Sequence, residues 1–131
     1  MIKLFTHKSE GSFNRIEAVI KKSSLIHNYK TIQKLCPNHM MLPMIKANAY
    51  GHGDLWAAQA LSSLPNLYGL GVATLNEAIS IREVTHKNKV RVIVFSGAQP
   101  WSDKIAEVCY QYRLTPVICS FDDWIRFSKS Q

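Results

Sequence analysis

The sequence is poor in the features that mark several large classes of protein. Its 131 residues include three cysteines, Cys36, Cys109 and Cys119, widely spaced and without a CxxC pair. An odd, scattered set suggests neither a disulfide framework nor a zinc site. Each cysteine lies in an apolar pattern, so all three are expected to be buried free thiols. No second His or carboxylate stands at metal-like spacing from His52, so no metal site is expected. No apolar run approaches the roughly 20 residues of a membrane-spanning helix. The first ten residues are polar and lack the apolar centre of a signal peptide, so the expected setting is cytoplasmic, without a membrane partner. Acidic residues are few, 9 against 16 lysines and arginines, for a net charge of +7. That excess is scattered. The densest groups, Lys21-Lys22 and residues 87–91, form no long basic run and no aromatic–basic stripe, so they read as solvated surface and no nucleic-acid partner is expected.

What is present is a globular composition, with 47% hydrophobic and 19% charged residues, which argues against disorder. Two periodicities alternate along it. Residues 15–20 (RIEAVI) are short, apolar and β-branched, as in a strand. Ser23 or Ser24 then caps a helix whose apolar face is Leu25, Tyr29, Ile32 and Cys36, ended by Pro37 and Asn38. Residues 40–46 (MMLPMIK) form a nearly continuous apolar run, as in a doubly covered parallel strand. Pro43 removes a ladder donor there and requires an edge position or a bulge. A glycine-containing loop, residues 47–53, leads to Asp54 as the cap of a helix over 55–63, with Leu55, Ala58 and Leu61 on one face.

A third strand is expected over residues 67–73. Thr74 and Glu77 then fit a capping box that opens a helix from Leu75 to about Val84. Residues 90–95 (VRVIVF) give the clearest strand signal. Pro100 and Ser102 open a helix with Ile105, Val108, Cys109 and Tyr112 inward. Residues 114–119 are another strand, and Ser120 caps a last helix from Phe121. Repeated βα units with short connections imply an α/β fold with a parallel sheet and right-handed crossovers.

Chemistry in such folds gathers at the C-terminal ends of the strands, and Lys46 stands at one. A lysine held there with a depressed pKa is a nucleophile able to form a Schiff base with an aldehyde; left exposed, it is a snorkelling surface residue. Tyr50 reads either as a ligand contact or as a packing residue, and His52 as a loop residue.

The string Lys46-Ala47-Asn48-Ala49-Tyr50-Gly51-His52-Gly53 resembles the cofactor-attachment motif of the alanine racemases, pyridoxal 5'-phosphate enzymes built on a βα barrel plus a C-terminal β domain. Residues 15–20 with Leu25-Ile26-His27-Asn28-Tyr29 resemble that family's opening strand and helix. Residues 71–78 with Ile81-Arg82-Glu83, then 92–97 with Pro100, and 114–117 resemble the segments that follow. The resemblance covers nearly all of the chain beyond about Phe13. It implies that residues 1–131 are the N-terminal half of a (β/α)8 TIM-type barrel, about four barrel strands with helices plus a preceding strand. It also implies that Lys46 binds pyridoxal 5'-phosphate as a Schiff base and serves as one of two proton-transfer bases at Cα. Tyr50 then hydrogen-bonds the cofactor phosphate, while Asn48 and His52 shape the loop.

The implied activity is interconversion of L- and D-alanine, which supplies D-alanine for peptidoglycan. In the family the opposite base, a tyrosine, comes from the partner subunit of a homodimer. The substrate-carboxylate arginine and most of the phosphate cup also have no counterpart here. The expectation is therefore a truncated chain, inactive unless complemented by a C-terminal half, with unpaired strand edges. Lys21 and Lys22 replace acidic residues usual in the family. The alternative function is a non-catalytic module that binds pyridoxal 5'-phosphate through Lys46.

Overall fold

A computed structural model describes residues 2–3, 18–85, 90–96, 98 and 100–129. Two short strands, β1 (Ile2–Lys3) and β2 (Val19–Ile20), pair antiparallel as a separate sheet. Of the strand expected over residues 15–20, residues 15–17 lie outside the described residues, as do the basic residues 87–89.

Helix α1 (Lys22–Leu35) follows. Its N-cap is Lys21, which makes no side-chain cap bond, so the expected Ser23 or Ser24 cap is not formed. The expected apolar face is corrected as well. Tyr29 is buried and Leu25 packs on the core, whereas Ile32 and Cys36 are exposed. The Tyr29 hydroxyl donates to the Pro65 carbonyl at 2.8 Å and Gln33 donates to the same oxygen at 3.3 Å. The helix is docked through this polar anchor, and its C-terminal end runs past the core.

Residues 41–45 lie parallel to β3 (Gly69–Val72) through two bridges, Met41 to Leu67 and Met44 to Gly71. Three steps on one strand therefore oppose four on the other. The extra residue lies on the 67–71 side, a bulge that accommodates Pro43, which has no N–H for the ladder. The Pro43 carbonyl still accepts from the Gly71 amide at 2.9 Å, and the Ile45 amide donates to the Gly71 carbonyl at 2.8 Å. A Cβ at Gly71 would meet the end of the Met44 side chain, which would have to swing away, and would come within 3.1 Å of the Phe95 ring.

The helical segment α2 (Lys46–Tyr50) leads to α3 (Asp54–Leu61), which packs on α1 and on α4 (Leu75–Val84). Asp54 lies inside α3 and Gly53 is its N-cap, one residue from expectation. The buried stripe is Ala57, Ala58, Ala60 and Leu61, and Leu55 is exposed. β4 (Arg91–Val94) pairs parallel with β3, and β5 (Leu114–Pro116) pairs parallel with β4. Between them, α5 (Asp103–Gln111) is capped by Ser102, whose hydroxyl accepts from the Ile105 amide. α6 (Phe121–Lys129) is capped by Ser120, whose hydroxyl accepts from the Asp123 amide at 3.0 Å.

Registry places Leu70, Val92 and Leu114 in one row and Val72 and Val94 in the next. Side chains alternate across a strand, so these rows share a face. They are buried with Ala58, Leu61, Ala78, Ile81 and Cys109 of the helices. Each fully buried Val or Leu contributes roughly 1.5–3 kcal/mol, which makes this helix-covered face the main source of stability. Gly71, Ile93 and Thr115 stand on the other face. Among the described residues β5 has no further strand on its outer side. Of the cysteines, Cys109 alone is buried; Cys36 and Cys119 are exposed, which corrects the expectation of three buried thiols.

The helix-side core is clipped at the N-terminal ends of the strands by Arg82. This residue is buried, and its guanidinium donates to the carbonyls of Val90, Tyr112 and Arg113 at 2.7–2.8 Å. Burial, and then the nearby Arg113 charge, lower its pKa, but an arginine stays charged in proteins.

Candidate active site

The C-terminal ends of residues 41–45 and of β3 meet at Lys46. This is the end where chemistry gathers in parallel α/β folds. Lys46 is half-buried and leaves a strand fixed by the Ile45–Gly71 hydrogen bond.

The backbone beyond it is left-handed. Ala47, Asn48, Ala49 and Tyr50 have φ of 50°, 55°, 50° and 53°, followed by Gly51 at 86°. L-residues pay about 1–2 kcal/mol each for this conformation, which is rare in consecutive non-glycine residues. Surrounding structure must over-determine it, and the contacts show how. Ala49 is buried, and its amide donates to the Ile45 carbonyl at 3.0 Å. The Asn48 carbonyl accepts from the amides of Gly51 and Gly53 at 3.1 and 2.9 Å. The Asn48 side-chain oxygen accepts from the Asp54 amide at 3.1 Å, satisfying an N–H that a helix start leaves open. The His52 ring nitrogen Nδ1 lies 2.9 Å from the Ala49 carbonyl. Asn48 and His52 thus shape the loop.

A fourth tie comes from the next βα unit. The capping box is formed as expected: the Thr74 hydroxyl accepts from the Glu77 amide at 3.3 Å, and Glu77 Oε2 accepts from the Thr74 amide at 3.0 Å. Oε2 also accepts from the Ala73 amide at 2.8 Å. The other oxygen, Oε1, accepts from the amide of Ala47 at 2.8 Å. Partial burial pushes the Glu77 carboxyl up, but the amide hydrogen bonds from Ala47, Thr74 and Ala73, with the Thr74 side chain, outweigh it and hold its pKa below the ordinary carboxylate value.

Tyr50, at the end of the turn, is 60% exposed. Lys46 and Tyr50 therefore lie on one rigid segment, one half-buried and one open. Neither the left-handed run nor the reach of Glu77 to Ala47 has a mark in the sequence. The Thr-x-x-Glu pattern signals the cap alone, and no local signal reports a contact 30 residues away. Among the described residues, no group of His, Cys, Asp or Glu could hold a metal ion, and no helix is long and apolar enough to cross a membrane.

Parallel βα units with a lysine at the sheet's C-terminal end define an α/β protein with a ligand end of the kind that barrels and open sheets share. Comparison with known proteins makes this specific. The model of the alanine racemase N-terminal domain matches residues 20–131, and the chain belongs to that family. It is 43% identical over 76 residues to alanine racemase of Haemophilus ducreyi, covering 58% of this chain and 20% of that protein. It is 40% identical over 80 residues to alanine racemase of Coxiella burnetii, covering 61% and 21%. Among solved structures, the biosynthetic alanine racemase of Pseudomonas aeruginosa superposes with a TM-score of 0.68 at 27% identity, covering 82% of this chain and 28% of that one. The alanine racemase of Oenococcus oeni gives 0.65 and 27%, covering 82% and 30%. The chain thus spans about a fifth of the length of these curated relatives.

Proposed function

We propose that this chain supplies the cofactor-bearing part of a pyridoxal 5'-phosphate-dependent alanine racemase. The observation that carries the reading is Lys46, placed at the C-terminal end of a parallel strand and followed by a turn locked by four separate ties. The donor set fits a phosphate-bearing aldehyde: a primary amine for the carbonyl, and the Tyr50 phenol four residues on for the phosphate. Most of the phosphate contacts would come from outside these residues.

In this reading Lys46 holds the cofactor covalently through its ε-amine, and Tyr50 donates a hydrogen bond to its phosphate. When bound, the cofactor supplies the electron sink for the charge left at the substrate Cα. The Lys46 ε-amine would serve as the proton-transfer base at the substrate Cα on one face. Inversion needs a second base on the opposite face. In this proposal that base is a residue of a partner subunit, as the family resemblance implies. A cytoplasmic setting and L- or D-alanine as substrate belong to the same proposal, supported by the family to which the chain belongs.

The test is incubation with pyridoxal 5'-phosphate, borohydride reduction and mapping of the labelled peptide, with Lys46→Ala as control. Stoichiometric label on Lys46 alone is expected. Scattered label, unchanged in the variant, would refute the reading. Label on Lys46 that yields no racemisation with any C-terminal half would leave a non-catalytic cofactor-binding module as the function.

A further inference from the structure

We propose that Glu77 is a positioning residue for the Lys46 amine. Its carboxylate, seated on the Ala73 and Thr74 amides, holds the Ala47 amide and so sets the direction in which Lys46 leaves its strand. This inference rests on the reading of Lys46 as the cofactor-bearing residue.

The two Glu77 oxygens divide the labour. Oε2 takes the amides of Ala73 and Thr74 at 2.8 and 3.0 Å, which belong to the turn after β3 and the start of α4. Oε1 takes the Ala47 amide at 2.8 Å. A capping box requires only the first set. The second is a charge-assisted bond between two βα units, a stronger class of hydrogen bond than its neutral counterpart.

The Ala47 amide belongs to the peptide group that follows the Lys46 α-carbon. Ala47 is also the first of four residues at positive φ, with φ 50° and ψ 52°. Fixing this N–H fixes the plane of the Lys46–Ala47 peptide where the chain enters the left-handed run. On the other side of Lys46, the Ile45 carbonyl belongs to the preceding peptide group and accepts from the Ala49 amide at 3.0 Å, while the Ile45 amide, one peptide further back, is held by the Gly71 carbonyl at 2.8 Å. The peptide groups on both sides of the residue that carries the amine are therefore hydrogen-bonded.

Two variants separate positioning from capping. Glu77→Gln keeps a side chain that serves a capping box equally well. It has one acceptor oxygen, however, and turns an NH2 toward the Ala47 amide. Thr74→Val removes the cap hydroxyl and leaves the carboxylate in place. Amide hydrogen exchange on the full chain without cofactor reads the clamp, and the visible absorbance of the lysine adduct with added pyridoxal 5'-phosphate reads its consequence. For Glu77→Gln, exchange at Ala47 is expected to be at least about tenfold faster and the adduct about tenfold or more weaker, while Thr74→Val leaves both near wild type. Unchanged Ala47 exchange in Glu77→Gln would overturn the proposal. So would wild-type adduct affinity in that variant, or losses of equal size in Thr74→Val. Absence of any Lys46 adduct in the wild type would instead remove the cofactor reading, and Ala47 exchange would still decide whether Glu77 sets the turn.

Discussion

Helix α4 fastens both ends of the parallel sheet, and it does so with opposite charges. Near its start, the Glu77 carboxylate gathers amides of Ala47, Ala73 and Thr74 at the C-terminal ends of the strands. In its last turn, the Arg82 guanidinium gathers carbonyls of Val90, Tyr112 and Arg113 at the N-terminal ends. Both signs suit the helix macrodipole. The surroundings differ. Arg82 is buried, whereas Glu77 is half-exposed beside the open Lys46–Tyr50 turn. A charge sealed among carbonyls contributes to stability. A charge at the rim holds a strained segment in place while leaving room for a ligand. Barrels divide the same way, with function at the C-terminal face and stability at the other.

The comparison is broken most severely at Arg82. Arg82→Ala strands three carbonyls, and urea unfolding should show a loss of about 3 kcal/mol, given about 1–3 kcal/mol for each buried group left unpaired. Arg82→Lys should recover less than half of it, because an ammonium cannot reproduce the planar fork. Thr74→Val at the other end should cost about 1 kcal/mol in the same measurement, the usual value of an N-cap.

Ala47→Gly should act in the opposite direction. It removes the Cβ from a residue at positive φ, so stability should hold or rise by up to about 1 kcal/mol. A clear loss there would show that the left-handed run is not strained. The smallest effect is acid sensitivity. The folded pKa of Glu77 lies below its unfolded value of about 4.3. Its contribution is therefore full above that value and is lost as pH falls through the folded pKa. The stability difference between wild type and Glu77→Gln should shrink over that interval, by less than about 1 kcal/mol for a carboxylate open to solvent. Arg82 remains charged throughout, so acid loosens one end of the sheet and spares the other.

Much of this was legible because it is local. The Thr74 cap and α4, the Ser102 and Ser120 caps, and β4 follow from residues within a few positions of one another. Pro43 called for an edge position or a bulge because a missing donor has few remedies, and the structure shows the bulge. The pattern places Lys46 at the end of a strand over residues 40–46; the structure forms two isolated bridges there and makes Lys46 the first residue of α2. The left-handed turn was hidden because Ala-Asn-Ala-Tyr carries no glycine to mark positive φ. The exposed end of α1 was hidden because periodicity shows a face but not how far its partner extends. Ile32 and Cys36 continue the stripe of Leu25 and Tyr29 beyond the docked part. The tie from Glu77 to Ala47 is purely tertiary.

The bulge also ties two positions together in sequence drift. Met44 and Gly71 occupy one volume, since any Cβ at 71 would meet the Met44 sulfur. A lineage that gains a side chain at 71 must re-aim or shorten the one at 44, so the two positions should vary together.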